Sequence, residues 1–529
     1  MVGRNTFPFR FNPRGVVDAL DGGQIPPGGL LAASDLIFDP ANPFTFQCRP
    51  AATETTDFEG FDTPGVVSVA HVVGDICYGM IASEENPGFD EPFAYNLVTD
   101  SFVTITGVTG SNVPATQLTT GPWVPPTMDL VGVKLYVTHP GFAGGMGAYF
   151  GYFNVTNPAS PTWTATNTTG NALPAVPTNV KQFNNRAWFA VGEALWFTDA
   201  LTTNITSASQ VLVIGDSIDI TALAQQPLVT SVQGIIQSLV VFKPSVIALV
   251  TGDAADGNLA LNIISSSVGT YAPRTIAATP AGVKFMATDG IRTITQAGIL
   301  EEPYPDLKLP FIHALNPSRA SASYNNNVYR ISVQNGNANG APIQEYWFDM
   351  RQNGFTGPHS FIQSMSSPYL GTFIAFSNDN PAALYTSDVV QSGTSVFVEN
   401  GEDLDFLMLT SPLADTGGLY ENSAVLSVID MQLPPTGDNY SFVASDVIHG
   451  VLAQATISGP TSAPIWGQFN WGDENWTAYQ YGLERYNIPW NNTLVFSRMV
   501  WQITGKSAFG FKVGKLTVGY QPTRYVRII

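Results

Sequence analysis

Charge is what this chain has least of. Only 12% of its 529 residues are Asp, Glu, Lys or Arg, about half the usual share. Lys and Glu are scarce, so the wet faces of amphipathic helices cannot be furnished. Cysteine is almost missing too. Cys48 and Cys77 are the only two, which excludes a disulfide framework or a cysteine zinc site. The pair could bridge, but free thiols are expected. No run of about 18 apolar residues occurs, so no helical membrane span is expected. Phe7 and Phe9 are interrupted by Pro8 and Arg10, so no secretory leader is expected.

What is there suits strands and turns. Hydrophobic residues make up 44% of the chain, and Gly (49) and Pro (38) are abundant, a mix that argues for a folded β protein. The net charge of −19 argues against a general nucleic-acid binder, because phosphate binding needs Lys and Arg. The charge is unevenly placed. Arg4, Arg10 and Arg14 open the chain without an acid among them, and Arg498, Lys506, Lys512, Lys515, Arg524 and Arg527 close it likewise. These cations either form local ion pairs or meet acidic surfaces of neighbouring subunits.

Apolar residues come in short runs bounded by Gly, Pro, Asn and Asp, and helical periodicity is nearly absent. One hairpin stands out: Phe183-Asn-Asn-Arg186-Ala-Trp188-Phe-Ala-Val-Gly192, then Leu195-Trp196-Phe-Thr-Asp199. Similar pairs recur from Ile76, Val131, Ser238, Gly282, Asn327 and Gly371, about 44 to 56 residues apart. That period fits four-stranded propeller blades, since sheets packed around an axis bury each other's faces. Separate β-sandwiches would give a similar turn spacing. The expected fold is all-β. A β-propeller of about six to seven four-stranded blades spans residues 60–395. An extended N-terminal arm covers 1–60, and a β-sandwich-like domain covers 396–529, where the rhythm changes.

Catalytic constellations are hard to assemble. His71, His139, His313, His359 and His449 fall in different units without metal-ligand spacing. There is no nucleophile elbow and no Walker loop. The glycine-rich Gly141–Gly147 stretch has no helix after it and reads as a hairpin tip. The densest acids are Glu84, Glu85, Asp90 and Glu91, and then Glu301, Glu302 and Asp306. They sit among Pro and Gly and read as solvated loop charge. The segment Asp349-Met-Arg351-Gln-Asn-Gly354-Phe355-Thr356 is an incomplete, single echo of the sialidase box. Trp466, Trp471, Trp476, Trp490 and Trp501 read as packing residues before they read as a sugar platform. No catalytic, metal or cofactor residue is therefore assigned, and no enzyme activity is expected.

The order of these units resembles that of tail nozzle (tail tubular, β-propeller) proteins of short-tailed bacteriophages. The resemblance rests on Phe183–Ala190 with Leu195–Thr198, on Leu239–Lys243 with Ile247–Gly252, and on Gly282–Arg292. It also rests on Ala322–Arg330 with Tyr346–Asp349, and on an early Cys48-Arg49-Pro50 step. It implies a structural virion protein forming a ring, commonly a hexamer, below the portal and adaptor. Partners would be further copies, the head-to-tail adaptor and tail fibre or spike proteins. Genomic DNA would pass through the central channel without specific binding, which an acidic lining favours. A receptor- or glycan-binding propeller, lectin or glycosidase-like, is the alternative.

Overall fold

The computed structural model describes residues 7–11, 15–18, 28–42, 44–57, 67–82, 88–107, 113–114, 124–144, 147–230, 234–334, 343–377, 383–399, 401–412, 420–446, 450–461, 483–496 and 498–525. The chain is all-β, with 57% of it in strands and almost no helix. Six small sheets are arranged as the blades of a β-propeller. Blade 1 is built on Val67–Val73, Ile76–Ala82, Phe89–Asn96 and Ser101–Phe102. Blade 2 uses Thr127–Val131, Lys134–Thr138, Phe150–Asn154 and Thr162–Thr166. Blade 3 uses Asn179–Phe183, Arg186–Val191, Ala194–Phe197 and Val211–Val213. Blade 4 uses Ala222–Thr230, Gly234–Phe242, Ile247–Thr251 and Ala260–Ser265. Blade 5 has three strands, Ala277–Thr279, Gly282–Ala287 and Gly290–Thr295. Blade 6 is Gln363–Tyr369, Thr372–Ser377 and Ala383–Ser387.

Between blades 5 and 6 stands a further unit: Ser321–Asn325, Val328–Gln334, Ile343–Asp349 and Gly354–His359. It forms the first four strands of a ten-stranded sheet. The first strand of each blade and of this unit packs on the next around the ring, and Gln363–Tyr369 packs back on Val67–Val73. Thr53–Asp57, from the stretch expected to be arm, supplies the outermost strand of blade 6. The two ends of the propeller are thereby joined by hydrogen bonds within one sheet.

Burial explains why the repeat must close. Gly282–Ala287 reads BBBBBB and Val328–Gln334 reads BBBBBBi from end to end (B buried, i intermediate). Such strands are covered on both faces. The faces meet in inter-blade clusters. Blades 1 and 2 share Tyr78, Met80, Leu135, Phe153 and Trp163. Blades 3 and 4 share Trp188, Phe197, Leu239 and Val241. Tight hairpins set the register. Asn184 and Asn185 have φ of 51° and 58°, and Asn326 and Asn327 have 46° and 64°. These are left-handed values that asparagine tolerates in two-residue turns.

The C-terminal strands alternate instead. Asp405–Thr410 reads eBiBiB and Gly450–Ser458 reads eeiBeBeBe (e exposed), with one face on the core and one toward solvent. They belong to two sheets. One is the far half of the ten-stranded sheet, in the order Gly29–Ser34, Asp405–Thr410, Met499–Lys506, Asn439–Asp446 and Gly450–Ser458. The other is seven-stranded and centred on Tyr420–Gln432 and Lys512–Tyr525. Phe406, Met408, Phe442, Trp501 and Ile503 of the first meet Ile429, Met431, Val513, Leu516 and Val518 of the second in one core.

The N-terminal segment sews these parts together. Gly29–Ser34 lies between the last strand of the bridging unit, at Ala33↔Gly357, and Asp405–Thr410 of the sandwich. The hairpin Leu36–Phe38 and Phe46–Cys48 adds to Lys512–Tyr525.

Trp188 is fully buried, stacks on Phe197 at 4.5 Å and donates its indole N–H to the Phe183 carbonyl at 3.1 Å. Trp188→Ala is expected to cost about 3–5 kcal/mol. Trp196→Ala, at a partly buried position, should cost less. Urea unfolding midpoints of the two variants check this.

Candidate functional site

Among the described residues, the largest gathering of buried charge lies where the arm, the bridging unit, blade 6 and the stretch before the sandwich meet. Asp35 occupies the turn between Gly29–Ser34 and Leu36–Phe38, at φ 54°. Arg49 follows the strand Phe46–Cys48. Glu399 ends the short strand Val398–Glu399. Arg49 is fully buried. Its Nε donates to Asp35 Oδ1 at 2.9 Å, and one terminal nitrogen reaches Ser360 Oγ and both Glu399 oxygens, each at 3.0 Å. The other donates to the Pro50 carbonyl at 3.0 Å. Glu399 also accepts the Ala52 N–H at 2.9 Å. Burial works against the charged form of Arg49, and Glu399 and Asp35 more than offset it. Burial also raises the Asp35 carboxyl above its ordinary range, with Arg49 pulling the other way.

A second pair lies beside the first. Arg330 donates to Glu345 Oε1 from Nε at 2.8 Å and from a terminal nitrogen at 2.5 Å, with both side chains fully buried. Glu345 Oε1 also accepts the Trp347 indole N–H at 2.6 Å, and Oε2 accepts the Gln363 N–H at 2.7 Å. The guanidinium lies over the rings of Trp347, Phe373 and Phe361 at 5.1, 5.2 and 5.5 Å, which adds cation–π attraction. His359 sits between the two pairs. Its Nδ1 accepts the Asp35 N–H at 3.2 Å, so Nε2 carries the proton and donates to Thr356 Oγ1 at 3.1 Å. Burial, then Arg49 and Arg330, hold this imidazole well below its usual range.

The arrangement is a clamp. The Asp35, Glu399 and Glu345 carboxylates point at protein donors from four chain segments, and their charge is spent on cohesion. A buried pair of this kind is costly to break from one side.

The other candidates scatter. Asp90 corrects the reading of solvated loop charge: it lies in Phe89–Asn96 and is 2% exposed. It accepts a 2.8 Å hydrogen bond from Nε2 of the buried His139, joining blades 1 and 2. The Gly141 N–H donates to His139 Nδ1 at 3.0 Å. The 3₁₀ turn Pro140–Gly144 begins the connection to Phe150–Asn154. Glu301 and Glu302 are exposed, and Glu302 stands 3.8 Å from Arg292. Asp306 accepts the Asp18 N–H through its carbonyl at 2.8 Å. Asp349 takes a two-pronged ion pair from Arg351 inside one turn.

His71 is on the innermost strand of blade 1, and burial lowers its pKa. His313 lines a groove of about 300 Å³ with Val16, Asp18, Leu307 and Tyr346. Trp501 is wholly buried and meets Trp490 at 5.5 Å. Glu84, Glu85, His449, Trp466, Trp471 and Trp476 lie outside the described residues. Cys48 and Cys77 are free and buried, and burial pushes both thiols up to about 12. Among the described residues no cluster of three or more His, Cys, Asp and Glu could hold a metal ion. No helix there is long and apolar enough to cross a membrane.

No family model and no curated protein matches the chain. Solved structures align with it at low similarity. One is BBS1N in complex with ARL6DN, with 10% identity and a TM-score of 0.40 over 66% of this chain and 99% of that one. A puromycin hydrolase shows 12% identity and a TM-score of 0.35 over 69% of this chain and 62% of that one. An exo-beta-1,3-galactanase from Phanerochaete chrysosporium shows 10% identity and a TM-score of 0.25 over 79% and 98%. At these values the likenesses carry no argument about fold or activity.

Two outcomes follow from the clamp. Arg49→Met leaves two buried carboxylates without their cation and is expected to cost about 3–5 kcal/mol. Adding Asp35→Asn and Glu399→Gln should recover part of that loss in denaturant titrations. The second outcome concerns pH. His359 is held neutral in the fold, whereas the unfolded chain binds a proton there below about 6.5. The stability this group contributes is therefore full above that pH and falls as pH drops toward 5, by up to about 1.4 kcal/mol per unit. Calorimetry between pH 7 and 5 checks the slope, which should be shallower in His359→Asn.

Proposed function

We propose that this chain is a structural virion protein: one subunit of a tail nozzle ring, commonly six copies, below the portal and adaptor of a short-tailed bacteriophage. The propellers face outward, and genomic DNA passes through the central channel. The head-to-tail adaptor and tail fibres or spikes are its other partners. The observation that carries the reading is the ten-stranded sheet, in which Gly29–Ser34 joins a propeller-side unit to the sandwich. Domains tethered by a linker move relative to each other by default. A conduit under load needs parts that do not, and here one sheet and the Arg49 clamp tie them.

Charge fits the same reading. With a net charge of −19, a subunit surface repels phosphate and forgoes the counterion release that makes DNA stick. Part of the basic C-terminal stretch is used within the chain. Lys512 donates to Asp39 at 2.6 Å, and Lys506 pairs with Asp403. The contacts of these two lysines are local ion pairs.

Negative-stain microscopy of the purified chain, alone and mixed with its adaptor, tests the reading. Rings with an open central channel are expected. Single particles in both samples, together with saturable binding to a host glycan, would instead establish the receptor-binding alternative.

A further inference from the structure

Most outer edges of the propeller are guarded. Blade 1 ends in the two-residue strand Ser101–Phe102, and blade 3 in the three-residue strand Val211–Val213. The last strand of blade 2 is covered by Thr106. Its N–H donates to the Pro161 carbonyl at 3.1 Å, and its carbonyl accepts the Trp163 N–H at 2.8 Å. On blade 5, Ile299, Glu301 and Tyr304 bond to Thr295, Thr293 and Ile291. Blade 6 ends in Thr53–Asp57, which carries Glu54 and Asp57. Short strands, covering segments and charge all keep a further strand from adding.

Blade 4 is built differently. Its last strand, Ala260–Ser265, is six residues long and contains no charge and no proline. Among the described residues no strand lies beyond it. A bulge at Ile264 interrupts only its end. Leu261 and Ile263 share one face and are 38% and 50% exposed. The hairpin fixes where the backbone groups point. The Asn258 N–H donates to the Asp253 carbonyl at 3.3 Å. Bonded pairs alternate along an antiparallel ladder, so Thr251↔Ala260 and Leu249↔Asn262 are the next bonded ones. Leu261 and Ile263 therefore turn their N–H and C=O groups outward, to the open edge.

This edge is complementary to itself. About a two-fold axis at Asn262, Leu261 of each copy stands opposite Ile263 of the other. Each such pair exchanges both N–H···O bonds and sets two apolar side chains next to one another. Asn262 meets Asn262, and Ala260 meets Ile264. The hairpin loop with Asp253 and Asp256 falls toward Ser266 and Ser267 of the other copy, so acids do not face acids.

We propose that Ala260–Ile264 pairs antiparallel with the same strand of a second copy, making one continuous sheet from two copies of blade 4. The contact is two-fold, unlike the head-to-tail contacts of a ring, and does not rest on the nozzle reading.

Disulfides in the full-length chain read the register. Asn262→Cys puts a thiol opposite its own copy in a non-bonded pair, with Cα atoms about 4.5 Å apart, within reach of a bridge. Leu261→Cys leaves the two thiols out of step and beyond that reach. Cys48 and Cys77 are buried, so the new thiols are the reactive ones. After mild oxidation, a non-reducing gel should show a covalent dimer from Asn262→Cys and none from Leu261→Cys. Equal amounts from both, or dimer from neither, overturn the pairing. Asn262→Lys brings two ammonium groups face to face. It should abolish the paired species in sedimentation at concentrations where the parent chain shows it, and an unchanged mass contradicts the proposal. A parent chain that stays unpaired yet binds an uncharged extended peptide, with that binding lost in Asn262→Lys, gives the edge to a different partner and also overturns it. Rings of Asn262→Cys without the disulfide refute the pairing and leave the nozzle reading standing. A disulfide dimer without rings keeps the pairing and sinks that reading.

Discussion

A sheet with two apolar faces is stable in water only between two others, and this molecule contains seven such units in a row. Phe189 of blade 3 illustrates the constraint, lying 4.8 Å from Phe150 and 5.8 Å from Tyr136 of blade 2. On the other face of the same strand, Trp188 packs toward blade 4. Each strand pair depends on both neighbours, so the array is at rest only when its ends meet. Thr53–Asp57 fastens them by lending blade 6 its outer strand. Because that strand comes from the N-terminal segment, closing the propeller also commits Asp35, Arg49 and Gly29–Ser34 to their places. The clamp around Arg49 follows from ring closure.

Several ion pairs of this protein sit at junctions. Asp90 and His139 join blades 1 and 2. Lys181 donates to Asp129 at 2.8 Å, joining blades 2 and 3. Arg49, Asp35 and Glu399 join the arm to the sandwich side. In a chain so poor in charge, those residues are spent where apolar faces from distant segments must meet in one register. Directional pairs of this kind discriminate against slipped arrangements more than they add to stability.

What could be read from the sequence was what depends on near neighbours. The Phe183-Asn184-Asn185-Arg186 hairpin declares itself, since two asparagines between apolar runs suit the left-handed turn. The change from strands buried on both faces, such as Gly282–Ala287, to alternating ones, such as Asp405–Thr410, marks the passage from propeller to sandwich. What could not be read depends on distant partners. Nothing around Thr53–Asp57 announces a strand that pairs with Ala383–Thr386. Asp90 sits between Pro87-Gly88 and Pro92, as loop charge would, and only His139, far along the chain, reveals its role. The Cys48-Arg49-Pro50 step drew attention by its position, while Asp35 and Glu399 carried no local sign of being its partners. An arm of unspecified course proved to be strands shared among three sheets for the same reason.

Sheets shared among the arm, propeller and sandwich require the three to behave as one cooperative body. Native-state hydrogen exchange measures this directly. Amides in Gly29–Ser34, Gly354–His359 and Asp405–Thr410 should open with one common free energy, the same as that of the blade core at Arg186–Val191. Exchange of the sandwich strands at a lower free energy, while the blades stay protected, would contradict it.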